Sequence, residues 1–320
     1  MPAWLTEIGS RLGGLFGNRP PSTHFGAFGK HPGWNDHLDD LGLDSEPLIA
    51  TKQYLYVQGI GGVVDAGQWE ALPPGDALPE FRHTFVWLDG NDLLVGKLWS
   101  SSDGKGRTKY PMVVCSHFAN RGEPGIPDIL PLLDQLEQSC RATASADDVR
   151  RIVADAGSAA ALLMGSPSIE TPAHASYAQS IGLDSNSEAA ARIAYYAESQ
   201  FSGLAGSGIS KAGINLKLGQ FKGQPQHIRV PAEGARPLAA QQFWRAFLAA
   251  TIPNGAPQLY IAPSASPWLD VIVGLPTAKH LFCLRAGEKA VALASEIPFN
   301  LTAESRTKAT ARWQTFLADA

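Results

Sequence analysis

The sequence predicts an α+β protein made of two α/β subdomains, each a small, mainly antiparallel sheet flanked by helices. Three observations carry that expectation. Strand-like segments come in close groups, too close for the crossover of a dozen or more residues that parallel pairing needs. Amphipathic segments flank each group instead of alternating with single strands. The order helix, short loop, three strands, helix occurs in both halves, which raises a duplicated module as a hypothesis.

The elements follow in order. Residues 1–23 open with Trp4, Leu5, Ile8, Leu12 and Leu15 at helical spacing, then the linker "NRPPS". Glu7 and Arg11 interrupt that apolar run and no basic start precedes it, so it does not read as a secretory signal. The expectation is a short helix docked on the body, with a membrane-surface or partner helix as the alternative. Residues 24–142 form the first domain. Phe25 to Phe28 reads as an edge strand, and 48–64 as a helix that fails at its glycines. "HTFVWLDG" and "NDLLVGKLW" are strands meeting at a Gly90-Asn91 turn, and "YPMVVCSHF" is the third. Leu130, Leu133 and Leu136 mark a helix over 128–141, with Asp128 as its cap.

Residues 143–320 form a second α+β domain of unassigned role. Ser145 caps a helix whose face is Val149, Ile152, Val153 and Ala156. "SEAAARIAYYAESQF" and "LAAQQFWRAFLAATI" are helices, separated by the Gly-rich "GLAGSGISKAGINLKLGQ". "QLYIA", "WLDVIVG", "HLFCLRA" and "AVALAS" read as strands, and Thr302 caps a final helix.

Composition excludes several function classes. Hydrophobic residues make up 44% and charged residues 18% of the 320, and the net charge is -4, so nothing favours nucleic acid or anionic lipid. Cys115, Cys140 and Cys283 are odd in number and far apart, which suggests neither a disulfide framework nor a zinc site. A reducing compartment is expected, with no stretch long and apolar enough to span a bilayer and no cofactor.

The densest candidate chemistry lies in "HFGAFGKHPGWNDHLDD", His24 to Asp40. It is not a phosphate loop: the glycine spacing is wrong, His31 replaces the hydroxyl residue, and Pro32 keeps a helix from starting behind Lys30. A metal held by His24, His31 and His37 with Asp36, Asp39 and Asp40 lacks tight ligand spacing, so a polar turn is expected, with one of those aspartates capping the next helix. No GxSxG stretch occurs, and Cys115 lies in an apolar run that favours packing over reactivity. Trp34, in a polar turn, reads as an exposed anchor or a half-buried lid. A second polar segment, "SSDGKGRTKYP", gives turn chemistry at Asp103-Gly104 and a basic tip at Arg107 and Lys109.

Together the two segments resemble the TagF/ImpM family, accessory proteins of the bacterial type VI secretion system. The first motif falls on Phe28, Gly29, Lys30, Pro32 and Asp36; the second on Ser101, Asp103, Gly106, Arg107, Tyr110 and Pro111. The similarity covers about residues 24–140. Phe81 stands where the family has a tryptophan, the arginine-to-aromatic gap is one residue longer, and "GWN", with Trp34, replaces small and basic residues before Asp36.

The resemblance implies a cytoplasmic regulator that restrains assembly of the secretion machine after translation, through a forkhead-associated scaffold protein, and not an enzyme. Asp36 and Arg107 carry opposite charge on loops expected to flank the same small sheet, so they are expected within salt-bridge distance, or joined with Lys30 and Asp103 in one cluster. Two alternatives stand beside this. One is a metal- or phosphate-dependent enzyme using His31, Asp36 or His37. The other is a ligand-sensing or GTPase-regulating module with an exposed Lys30/Arg107 patch.

Overall fold

The computed structural model describes residues 21–90, 92–120, 126–201, 225–253 and 255–319. The expected N-terminal helix, Asn91 of the hairpin turn and the Gly-rich segment after Phe201 lie outside the described residues.

The chain opens with β1 (Ser22–Gly29) and then α1 (Glu46–Thr51), which runs through a π-helical stretch, Lys52–Ile60, into α2 (Gly61–Asp65). The helix therefore passes its glycines instead of failing at them. A Cβ on Gly59 would stand 2.0 Å from Leu281 Cδ1, so this glycine serves close packing, not termination. Next come β2 (Arg82–Asp89), β3 (Asp92–Ser100) and β4 (Pro111–Ala119). Helices α3 (Leu130–Arg141), α4 (Ala146–Leu162), α5 (His174–Ser180) and α6 (Glu188–Phe201) follow. The remainder is β5 (Gln226–Pro231), α7 (Pro237–Leu248), β6 (Gln258–Pro263), β7 (Trp268–Val273), α8 (Ala278–Leu281) and α9 (Ala303–Ala318).

Two expected caps are in place: Ser145 Oγ accepts from Asp148 N at 3.2 Å, and Thr302 Oγ1 from Ser305 N at 3.1 Å. Asp128 is not a cap. Helix α3 starts at Leu130 behind Ile129, with a proline in its first turn, where a missing N–H costs nothing.

The α+β class and the antiparallel pairing are as the sequence predicts. The strands, expected as two small sheets, form one seven-stranded sheet in the order β1-β4-β3-β2-β6-β7-β5. The join is β2, which pairs with β3 on one side and β6 on the other, so Val86 faces both Val95 and Tyr260. In each half the first strand pairs with the last, β1 with β4 and β5 with β7, but the second half has one strand fewer.

Two expected strands are absent. "HLFCLRA" forms α8 and a 3-10 turn, Phe282–Leu284, and residues 291–295 have no regular structure. Arg229, buried on β5, occupies carbonyls of this segment. It pairs through Nε and Nη2 with both oxygens of Asp270 and donates to the carbonyls of Cys283, Ala286, Gly287 and Val291. Those acceptors serve the guanidinium instead of a ladder, and the segment lies over the sheet. Strand β5 itself was not expected: it is a short edge strand ending in Pro231.

Both sheet faces are covered, which is why β4 and β7 are buried at every position and do not alternate. Phe25, Val86, Val95, Val114 and Leu269 pack under α3 to α7 and α9. Phe28, Phe85, Leu94, Cys115 and Leu259 pack under the 46–65 helix and the 281–284 turn. No helix among the described residues is long and apolar enough to cross a membrane.

Candidate functional site

The site grows from the end of β1. Gly29 has φ +112°, and a Cβ there would lie 2.3 Å from Pro111 O, so only glycine lets β1 end against the start of β4. The chain then loops tightly. Lys30 N donates to Pro111 O at 3.1 Å, and Leu38 N closes the loop on Gly29 O at 2.8 Å. Within it, His31 is buried. Its Nε2 donates to Cys140 O at 2.9 Å while Nδ1 accepts from Gly33 N at 3.0 Å, so the ring is neutral and tied at both nitrogens. Burial lowers its pKa, with the Cys140 bond opposing.

The second loop is organised by Asp103. Its Oδ1 accepts from Lys105 N and Arg107 N, both at 3.0 Å, while Gly106 N bonds back to Asp103 O at 2.8 Å. Gly106 takes φ +76°, which this turn requires. One backbone bond, Gly104 N to Trp34 O at 2.6 Å, ties the two loops.

Between them lies a four-charge cluster. Lys30 Nζ bonds Asp36 Oδ1 at 2.5 Å and Asp103 Oδ2 at 2.9 Å. Arg107 donates from Nε to Asp103 Oδ2 at 2.7 Å and from Nη2 to Asp36 Oδ1 at 3.1 Å and Asn35 O at 3.0 Å. Both forms of the expected contact therefore occur together. The cluster is graded in depth: Lys30 and Asp103 are buried, whereas Arg107 and Asp36 side chains are 53% and 68% exposed. Burial alone would raise the Asp103 carboxyl, but Lys30, Arg107 and the two backbone donors hold it below the usual carboxylate range. The Lys30 bond leads in lowering Asp36.

The other motif residues frame this core. Phe28 is fully buried, Ser101 is half-buried and Pro32 is exposed. Pro111 lends its carbonyl to Lys30 and to Tyr56 Oη, the latter at 3.4 Å. Tyr110 lies beside Tyr56 at 5.6 Å and His37 at 5.4 Å between ring centroids. Trp34 is half-buried, with the Arg150 guanidinium 5.3 Å from its ring centroid, so it packs as a lid and is not a free anchor.

Several expectations dissolve. None of the three aspartates caps the next helix; Ser45 precedes α1, while Asp36 serves the cluster, Asp39 meets Arg150 at 2.6 Å and Asp40 meets Lys52 at 2.6 Å. The three histidines do not converge on a metal: His24 stacks on His117 near the far end of β1, His31 points to Cys140 and His37 sits among tyrosines. The exposed Lys30/Arg107 patch is exposed at Arg107 alone. Tyr56, which the π-helical stretch presents to the motif loops, belongs to neither sequence motif.

The fold and site define a class: an α+β protein with one antiparallel sheet, at one end of which two loops are braced by ion pairs. No family profile and no curated protein matches the chain. The crystal structure of PA0076 from Pseudomonas aeruginosa PAO1 is similar over 87% of this chain and 99% of that chain, at 17% identity and a TM-score of 0.41. A likeness that slight carries no role from one chain to the other.

Proposed function

We propose that the chain is a cytoplasmic accessory protein of a bacterial type VI secretion system, controlling assembly after translation by protein–protein contact and without turnover. The resemblance of its two loop motifs to the TagF/ImpM family is the starting point. The observation that carries the reading is that Lys30 and Asp103, 73 positions apart, meet in one ion cluster with Asp36 and Arg107. The motif residues thus act as one unit. Its inner ions satisfy each other, and its outer ions, Asp36 and Arg107, are left at the surface. A brace of this kind fixes the shape of a docking surface more than it adds stability.

The test is affinity capture from a bacterium that builds such a machine, with captured proteins identified by mass spectrometry. The wild-type chain is expected to retain a secretion component, a forkhead-associated scaffold protein foremost. Arg107→Glu is expected to lose it while folding normally. Capture of no secretion component by the wild-type chain refutes the reading.

A further inference from the structure

A second cluster, at the opposite edge of the sheet, plays no part in the motif loops. His227 on edge strand β5, Asp270 on β7 and Cys283 in the 3-10 turn each bring one ligand atom, all within 4.8 Å of one another. His227 Nε2 is 2.8 Å from Asp270 Oδ1. We propose that His227, Asp270 and Cys283 form a binding site for a thiophilic divalent cation, zinc being the best fit, which clamps the 278–291 segment onto the sheet.

Three observations argue for it. An imidazole, a carboxylate and a thiol are a donor set that suits zinc and not magnesium or calcium. Zinc lies ~2.0–2.3 Å from such donors, so small side-chain rotations close the observed spread onto an ion. Finally, the His227 side chain is 18% exposed at the sheet edge, which gives an ion a route in.

Arg229 is the obvious objection, since it already holds both oxygens of Asp270. A carboxylate has lone pairs for both a guanidinium and a metal, and ligating carboxylates are commonly oriented by such a bond. Arg229 also has the carbonyls of Cys283, Ala286, Gly287 and Val291, so its charge does not depend on Asp270 alone.

The experiment is a titration of the chelator-stripped full chain with Co2+, followed by displacement with Zn2+. The expected result is uptake of a single equivalent, with a thiolate-to-cobalt charge-transfer absorption, and a rise in melting temperature when zinc is added. Cys283→Ser is expected to abolish that absorption, and His227→Ala to weaken binding by roughly 10-fold or more. Circular dichroism checks that each variant is folded. A folded wild-type chain that shows no charge-transfer absorption, or a Cys283→Ser variant that keeps it, overturns the proposal. The wild-type titration decides the matter even if a variant fails to fold.

Discussion

The Lys30 ammonium, on a residue 4% exposed, has exchanged bulk water for two carboxylates. Removing it leaves Asp103 buried with Arg107 as its remaining cation. Lys30→Met is therefore expected to destabilise the chain clearly more than Arg107→Ala, measured by urea unfolding. Arg107 is half-exposed and leaves Lys30 beside Asp103 when removed, so its loss should cost less than that of Lys30. Acid should act on the same cluster. Asp36 and Asp103 titrate below the usual range in the folded state, so their contribution is present above about pH 4, the unfolded carboxylate value, and lost as pH falls through the folded values. Asp103→Asn should flatten that acid loss. Asp89 runs the other way. Burial, reinforced by Asp92, pushes its carboxyl up to about 7, and Oδ1 has no partner among the described residues. Folding then holds a proton that the unfolded chain has released, and stability falls as pH rises from about 4 to about 7. Asp89→Asn should remove that slope, worth up to about 1.4 kcal/mol per pH unit, in melting curves across this range.

At the scale of elements, local signals were legible where local physics decides. Ser145 was readable as a cap because a hydroxyl before a helical run has few better uses, and Ser145→Ala should cost about 1 kcal/mol in thermal unfolding. Gly29 was readable as a motif glycine, but not the reason for it. Its positive φ and the 2.3 Å approach to Pro111 O depend on a strand eighty residues away. The π-helical stretch was not readable either. Gly59 and the Gly61-Gly62 pair that follows signal a helix end locally, and only the packing of Leu281 and Ala278 against Gly59 and Gly62 explains why the helix continues. The apolar residues of "HLFCLRA" suit a strand, but the carbonyls of Cys283 and Ala286 accept from Arg229.

Across the whole molecule, the β2–β6 pairing makes one sheet of the two halves, and helices from both cover a shared core. A single calorimetric transition is expected, with equal calorimetric and van't Hoff enthalpies; two separated transitions would show that the halves fold independently. The pair Arg229–Asp270 tests the second half. Arg229→Met leaves a buried carboxylate without its cation, and a loss of about 3–5 kcal/mol in urea unfolding is expected.

The sequence by itself determined the α+β class, the antiparallel hairpins, two helix caps and the meeting of Asp36 with Arg107. Periodicity, turn residues and opposite charge are written locally, and the two motif loops flank neighbouring strands. Tertiary structure alone decided that the sheet is single, that Lys30 is buried, and that His227, Asp270 and Cys283 converge. Those outcomes rest on contacts between distant segments, where burial of one chain by another sets which polar groups find partners.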